Sequence, residues 1–173
     1  MTGVQTCALP ISQQPLLFRN LANGRFERVG AAPNSGLAGA WTSRGMAKGD
    51  LDSDGKVDVV MNNFNGAPTV LRNVTESKNH WLSLKLVGDP KQKTPRDAIG
   101  SLAWVTVGKL RLRGDVISGA GYASQSDLKL HFGLGEATKV DKVEISWANG
   151  KSEIVNVNAV DRVWTVTQGK GAK

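Results

Sequence analysis

The chain is short of most residues that build catalytic or redox centres. It holds a single cysteine, Cys7, among 173 residues, which excludes an intrachain disulfide and a cysteine-based metal site. Only two histidines are present, His80 and His131, and neither has a Cys or a second His at ligand spacing. No serine sits in a Gly-x-Ser-x-Gly elbow, and no glycine-rich loop precedes a helix that could hold phosphate. An enzyme is therefore not expected. Long apolar runs are missing too. None approaches the roughly 18 residues that a membrane-spanning helix requires. Helical periodicity is scarce while glycine is abundant, at 20 residues, so short strands joined by turns are predicted.

What is there resembles the make-up of an ordinary globular protein: 40% hydrophobic and 21% charged residues, not a disordered composition. Net charge is +7. Residues 13–78 carry eight Lys/Arg against six Asp/Glu, and residues 79–173 carry fourteen against nine, so the basic excess is spread along the chain. No Lys/Arg cluster interleaves with aromatics as a nucleic-acid surface would. The charge reads as a mildly basic solvated surface with weak attraction for anionic polymers.

The most informative stretch is Gly49-Asp50-Leu51-Asp52-Ser53-Asp54-Gly55-Lys56-Val57-Asp58, followed by the apolar Val59-Val60-Met61. Asp50, Asp52, Asp54 and Asp58 occupy positions 1, 3, 5 and 9 of a tight loop, and Gly55 supplies a sharp bend. Alternate side chains of such a loop converge, and four like charges repel unless a cation lies among them. An all-oxygen donor set, with a backbone carbonyl expected from Lys56, suits Ca2+. An EF-hand needs a Glu at position 12, where this chain has Met61, and a flanking helix where it has β-branched residues. The alternative is an acidic surface turn without an ion. Carboxylates committed to calcium would make poor proton shuttles.

Ahead of that loop, Leu16–Asn20 and Arg25–Val29 read as strands around an Asn23-Gly24 turn. Phe18-Arg19-Asn20 returns as Leu71-Arg72-Asn73, 53 residues on, a spacing within the range of propeller-blade repeats. Val74–Asn79 is polar and reads as a boundary, and Asn73-Val74-Thr75 is formally a glycosylation sequon. Beyond it alternation is clear. Leu82, Leu84 and Leu86 share a face; Leu110 and Leu112 face inward with Arg111 and Arg113 outward; Leu128, Leu130 and Phe132 alternate with Lys129 and His131; Val143, Ile145 and Trp147 obey the same rule. Strands are expected at Ser101–Val107, Ser152–Val157 and Arg162–Thr167, the second after an Ala148–Lys151 turn. Seven or so strands with one apolar face each predict an antiparallel β-sandwich over 79–167, with 168–173 as a tail.

Two further stretches bear on recognition. Ser118–Asp127 holds the only tyrosine, Tyr122, with Gln125, Ser126 and Asp127 close behind. A ring beside amide, hydroxyl and carboxylate groups would suit a sugar or peptide, and the alternative is an inter-strand turn whose Tyr packs on the core. Arg113-Gly114-Asp115 spells an adhesion tripeptide, but the Gly-Asp more simply turns one strand into the next. His131 is expected to be solvated on a polar strand face, and His80 to be structural.

Residues 1–12 resemble the translation of a sequencing adapter and lack the basic start and apolar core of a signal peptide. They are expected to be disordered and outside the fold, with upstream sequence lost.

The loop Asp50–Asp58 resembles the calcium loop of FG-GAP/VCBS repeats, the blades of integrin-type β-propellers. Arg96–Gly100, Ser118–Gln125 and Leu130-His131-Phe132-Gly133-Leu134-Gly135 resemble the ASPIC/UnbV domain of proteins similar to cartilage acidic protein. The resemblance implies an all-β protein: a partial propeller blade with a calcium loop over 13–78, then the sandwich. It also implies a secreted, periplasmic or cell-surface parent that binds protein, matrix or glycan without catalysis. Alternatives are a carbohydrate-binding accessory domain of a secreted enzyme and a structural cap on the propeller. One and a half blades bury little by themselves, so the calcium loop would hold the small sheet together.

Overall fold

The structure, a computed structural model, describes residues 11–173 apart from Ala22 and Asn34. The adapter-like opening, Cys7 included, falls almost wholly outside the described residues. Among the described residues every regular element is a strand except one short 3-10 turn at Pro90–Gln92. No helix is long and apolar enough to cross a membrane.

The chain begins with a hairpin of β1 (Leu17–Asn20) and β2 (Phe26–Val29), antiparallel with Leu17 opposite Val29. All eight of its residues are exposed. A second sheet has the order β3 (Ser43–Gly49), β4 (Asp58–Asn63), β5 (Thr69–Leu71). The acidic loop joins β3 to β4, so Gly49 pairs with Asp58 across its neck. This sheet buries little: Met61 and Asp58 are its most enclosed side chains, at 5% and 2% exposure. Three short strands are too few to enclose a core of their own, and the sheet leans on the C-terminal strands.

Those strands form a sandwich of two four-stranded sheets. One has the order β13 (Gly171–Ala172), β12 (Arg162–Thr167), β6 (His80–Val87), β9 (Leu130–Gly135). The other runs β11 (Ser152–Val155), β10 (Lys142–Ser146), β7 (Leu102–Val107), β8 (Leu110–Asp115). Period-2 alternation sends Leu82, Leu84, Phe132, Trp164 and Val166 inward from the first, and Ala103, Val105, Val143 and Ile145 from the second. Leu82 and Ile145 are completely enclosed. Truncating either to Ala would cost about 3 kcal/mol, the usual toll of a cavity in such a core.

The all-β architecture is as the sequence implies, with three differences in detail. First, β12 runs parallel to β6, Arg162 opposite Leu82 through Thr167 opposite Val87. Alternation reads the same in either direction, so pattern alone does not report it. Parallel pairing needs a long crossover, and the whole span between β6 and β12 provides one. Asp161 pins the register, donating its N–H to the Trp81 carbonyl at 2.8 Å and accepting the Trp81 N–H on Oδ1 at 3.0 Å. Second, the expected tail is part of the sandwich: β13 pairs with the end of β12, and Gln168 is 4% exposed and accepts the Asp89 N–H. Third, Arg113-Gly114-Asp115 lies within β8 and turns nothing. Arg113 there is clamped on the Asp115 carboxylate, Nη2 to Oδ1 at 2.7 Å.

Candidate metal centre and the junction beneath it

The acidic loop is shaped by its own amides. Asp50 accepts N–H groups from Asp54 at 3.1 Å and Gly55 at 3.0 Å. Asp58 accepts from Leu51 at 3.0 Å and from Asn73, beyond β5, at 2.8 Å. Ser53 and Gly55 take positive φ, 61° and 83°, which folds the loop back over itself. The result brings one carboxylate oxygen each from Asp50, Asp52 and Asp58 within 4.8 Å of one another.

Asp54 stands apart from these three. Its carboxylate takes the Lys56 N–H at 2.9 Å and pairs with Lys56 Nζ at 3.2 Å. The Lys56 N–H bond is the largest cause holding the Asp54 carboxyl below its ordinary range. Asp52 is paired with Arg72. The remaining donor chemistry fits a hard divalent ion: three carboxylates, oxygen only, with the Asp50 and Asp58 oxygens each keeping a lone pair after their amide bonds. Asp50, Asp52 and Asp58 would hold such an ion and its charge would offset their mutual repulsion, with Arg72 competing for Asp52.

The loop rests on the outer face of the β6–β9 pair. Gly55 lies against the Trp81 indole, and Trp81 stacks on His131, ring centroids 5.6 Å apart and 15° from parallel. His131 is thus half-covered instead of solvated. It does face away from the core, as its alternation predicts, but the loop sits over it. Burial pushes its pKa down, Asp50 opposes that, and Lys48 and Lys129 reinforce it. A cleft of about 590 Å³ opens beside this contact, with Lys56, Asn73, Lys78, His80, Trp81 and His131 among its walls.

In the cleft, His80 Nδ1 meets Asp161 Oδ2 at 2.6 Å. Burial works against ionising Asp161, but bonds from His80 and the Trp81 N–H outweigh it and its pKa is lowered. A His–Asp pair is the beginning of a general-base arrangement. Among the described residues, however, no hydroxyl hydrogen-bonds to the other ring nitrogen of His80, and the other Asp161 oxygen serves the Trp81 backbone. The pair fastens β6 to β12. Sequence reasoning missed Asp161. An Asp one residue ahead of a strand, at a position that takes φ 57°, is a signal that residue type carries, but its partner lies 80 residues away.

The loop 118–127 makes a second attachment. Its end runs along the free edge of β3: the Asp127 N–H donates to the Lys48 carbonyl at 3.0 Å, and Ser126 Oγ accepts the Lys48 N–H at 3.3 Å. Gln125 braces the turn, accepting from Gly119 N–H at 2.6 Å and donating to the Ser126 carbonyl at 2.7 Å. Asp127 pairs with Lys129 at 3.0 Å. Of the four residues singled out for ligand contact, three therefore work inside the chain. Tyr122 is 74% exposed.

Residues 91–173 match the family described as ASPIC and UnbV. The match covers β7 to β13, leaving the acidic loop and β6 outside it. No curated protein matches the chain.

Proposed function

We propose that the chain is a calcium-stabilised, non-catalytic recognition piece of a secreted, periplasmic or cell-surface protein. The observation that carries this reading is the convergence of Asp50, Asp52 and Asp58 within 4.8 Å, at the joint between a coreless small sheet and a well-packed sandwich. The FG-GAP/VCBS resemblance of Asp50–Asp58 and the ASPIC and UnbV match of residues 91–173 support the same setting. Extracellular calcium modules work at dissociation constants of about 0.1–1 mM.

The ion's role on this reading is mechanical. It neutralises the carboxylates, fixes the Asp50–Asp58 turn, and so holds Gly55 against Trp81. The partner would be a protein or glycan reached from the surfaces this scaffold keeps in place. The accessory carbohydrate-binding alternative rests on the exposed ring of Tyr122 alone, since Gln125, Ser126 and Asp127 are occupied within the chain.

Thermal unfolding of the full chain with chelator and with calcium tests the reading. At 10 mM calcium, ligand linkage for a site of this affinity gives about 1.4–2.7 kcal/mol of added stability, and Asp52→Ala should remove it. Superimposable melting curves with and without calcium overturn the reading.

A further inference from the structure

We propose that the outer face of the β11–β10–β7–β8 sheet, centred on Trp104, docks an extended acidic segment of a partner protein. This surface belongs to the sheet remote from the acidic loop, and the inference does not depend on the ion.

The strand registers lay out the face. Arg113 stands opposite Trp104, Trp104 opposite Glu144, and Glu144 opposite Ile154. These four side chains form one row across all four strands, roughly 14 Å long at ordinary strand spacing. In the adjacent row Arg111 and Lys142 flank Thr106. The neighbours Ala103, Val105, Val143 and Ile145 are fully enclosed, so alternation places the row on the solvent side.

This is not a surface of scattered charges. Arg111 lies over the Trp104 ring, 4.3 Å from its centroid, and Arg113 reaches it at 5.7 Å. Ile154 remains 64% exposed, and the Arg111 and Arg113 side chains are 54% and 52% exposed. Tryptophan and arginine gathered at the middle of a flat patch are the residue types that dominate the energetics of protein interfaces.

Charge selects the occupant. Lys142 at 2.9 Å and Arg111 at 3.4 Å share Glu144, and Arg113 is held by Asp115 at 2.7 Å, so three cations face two carboxylates and the patch keeps one positive charge. Arg111 and Arg113 are two residues apart on one strand, which separates them by about 6.8 Å along it. An extended peptide repeats its same-side residues at that interval, so alternate carboxylates would fall in register with both guanidinium groups and exchange with Glu144 and Asp115, which hold them in the free chain. A glycan would need a bare indole face for stacking, and here Arg111 occupies it.

Fluorescence anisotropy on the full chain tests the inference with a labelled peptide of alternating Glu and Val, its Gln–Val counterpart, and heparin. Binding of the Glu–Val peptide in preference to the Gln–Val peptide is expected. Arg111→Glu and Trp104→Ala should each weaken it by about tenfold or more, whereas Lys85→Glu, the same charge change on the other sheet's outer face, should change it less than about twofold. Arg111 is exposed and its reversal leaves the core untouched, so it reports even where Trp104→Ala melts early. Equal weakening by Lys85→Glu, equal binding of both peptides, or binding of heparin without the Glu–Val peptide would overturn the proposal.

Discussion

Gly55 touches Trp81 so closely that a Cβ placed on the glycine would lie 2.1 Å from the indole Nε1. Trp81 in turn stacks on His131, so the acidic loop, the first strand of the sandwich and β9 form one continuous contact. This glycine is needed twice over: its φ of 83° suits few side chains, and its missing side chain makes room for the ring. A loop tied to the sandwich in this way passes its order, or its disorder, directly to Trp81.

Gly55→Ala should therefore destabilise the chain by about 2–4 kcal/mol, combining backbone strain with overpacking. Pairing it with Trp81→Ala separates the two causes. The double variant should recover the steric part, so its cost in urea unfolding will be less than the sum of the single costs. Simple additivity would show that the contact carries no energy.

Asp58 is the anchor on the other side of the loop. It is 2% exposed and receives the Leu51 and Asn73 amides. Asp58→Ala strips both donors of their acceptor and should cost about 2 kcal/mol. The same change should loosen residues 72–74, which amide hydrogen exchange would read as faster exchange of Asn73. Unchanged protection at Asn73 would mean that the bond does not organise this segment.

Much of the sandwich is legible in the chain because alternation is a local property. Leu82 and Leu84, or Val143 and Ile145, announce strand and inward face together. Strand direction is not local, and the parallel β6–β12 pair is fixed by Asp161 reaching Trp81 across 80 residues of chain. The acidic loop is legible in its residue types and its glycine, but not in its division of labour. Lys56 and Arg72 take Asp54 and Asp52, which depends on where two flexible cations land. The loop 118–127 is polar enough for a ligand site, yet that polarity is spent within its own turn, on Lys129 and on the exposed edge of β3, and no sequence pattern shows that an edge lies nearby. His131 misleads for a related reason: its face is the solvent side of its own sheet, covered by a loop from another.

Acid should destabilise the chain in two steps. The folded-state pKa of His131 lies below its ordinary 6.5, so the unfolded chain binds the proton more readily, and stability falls as pH drops from about 6.5 to the depressed value. Asp161 is lowered from 3.8. Its contribution is complete above that value and is lost as pH falls through its folded pKa. In a series of melting curves His131→Asn should flatten the upper step and leave the lower one. An upper step that survives the substitution would assign it to another group.

Calorimetric titration of calcium into the chelator-treated full chain addresses the ion itself. The expected result is one ion bound per chain, with a dissociation constant of about 0.1–1 mM, and no heat beyond dilution for Asp50→Ala. A flat titration of the native chain, or an Asp50→Ala titration that matches it, would contradict the account.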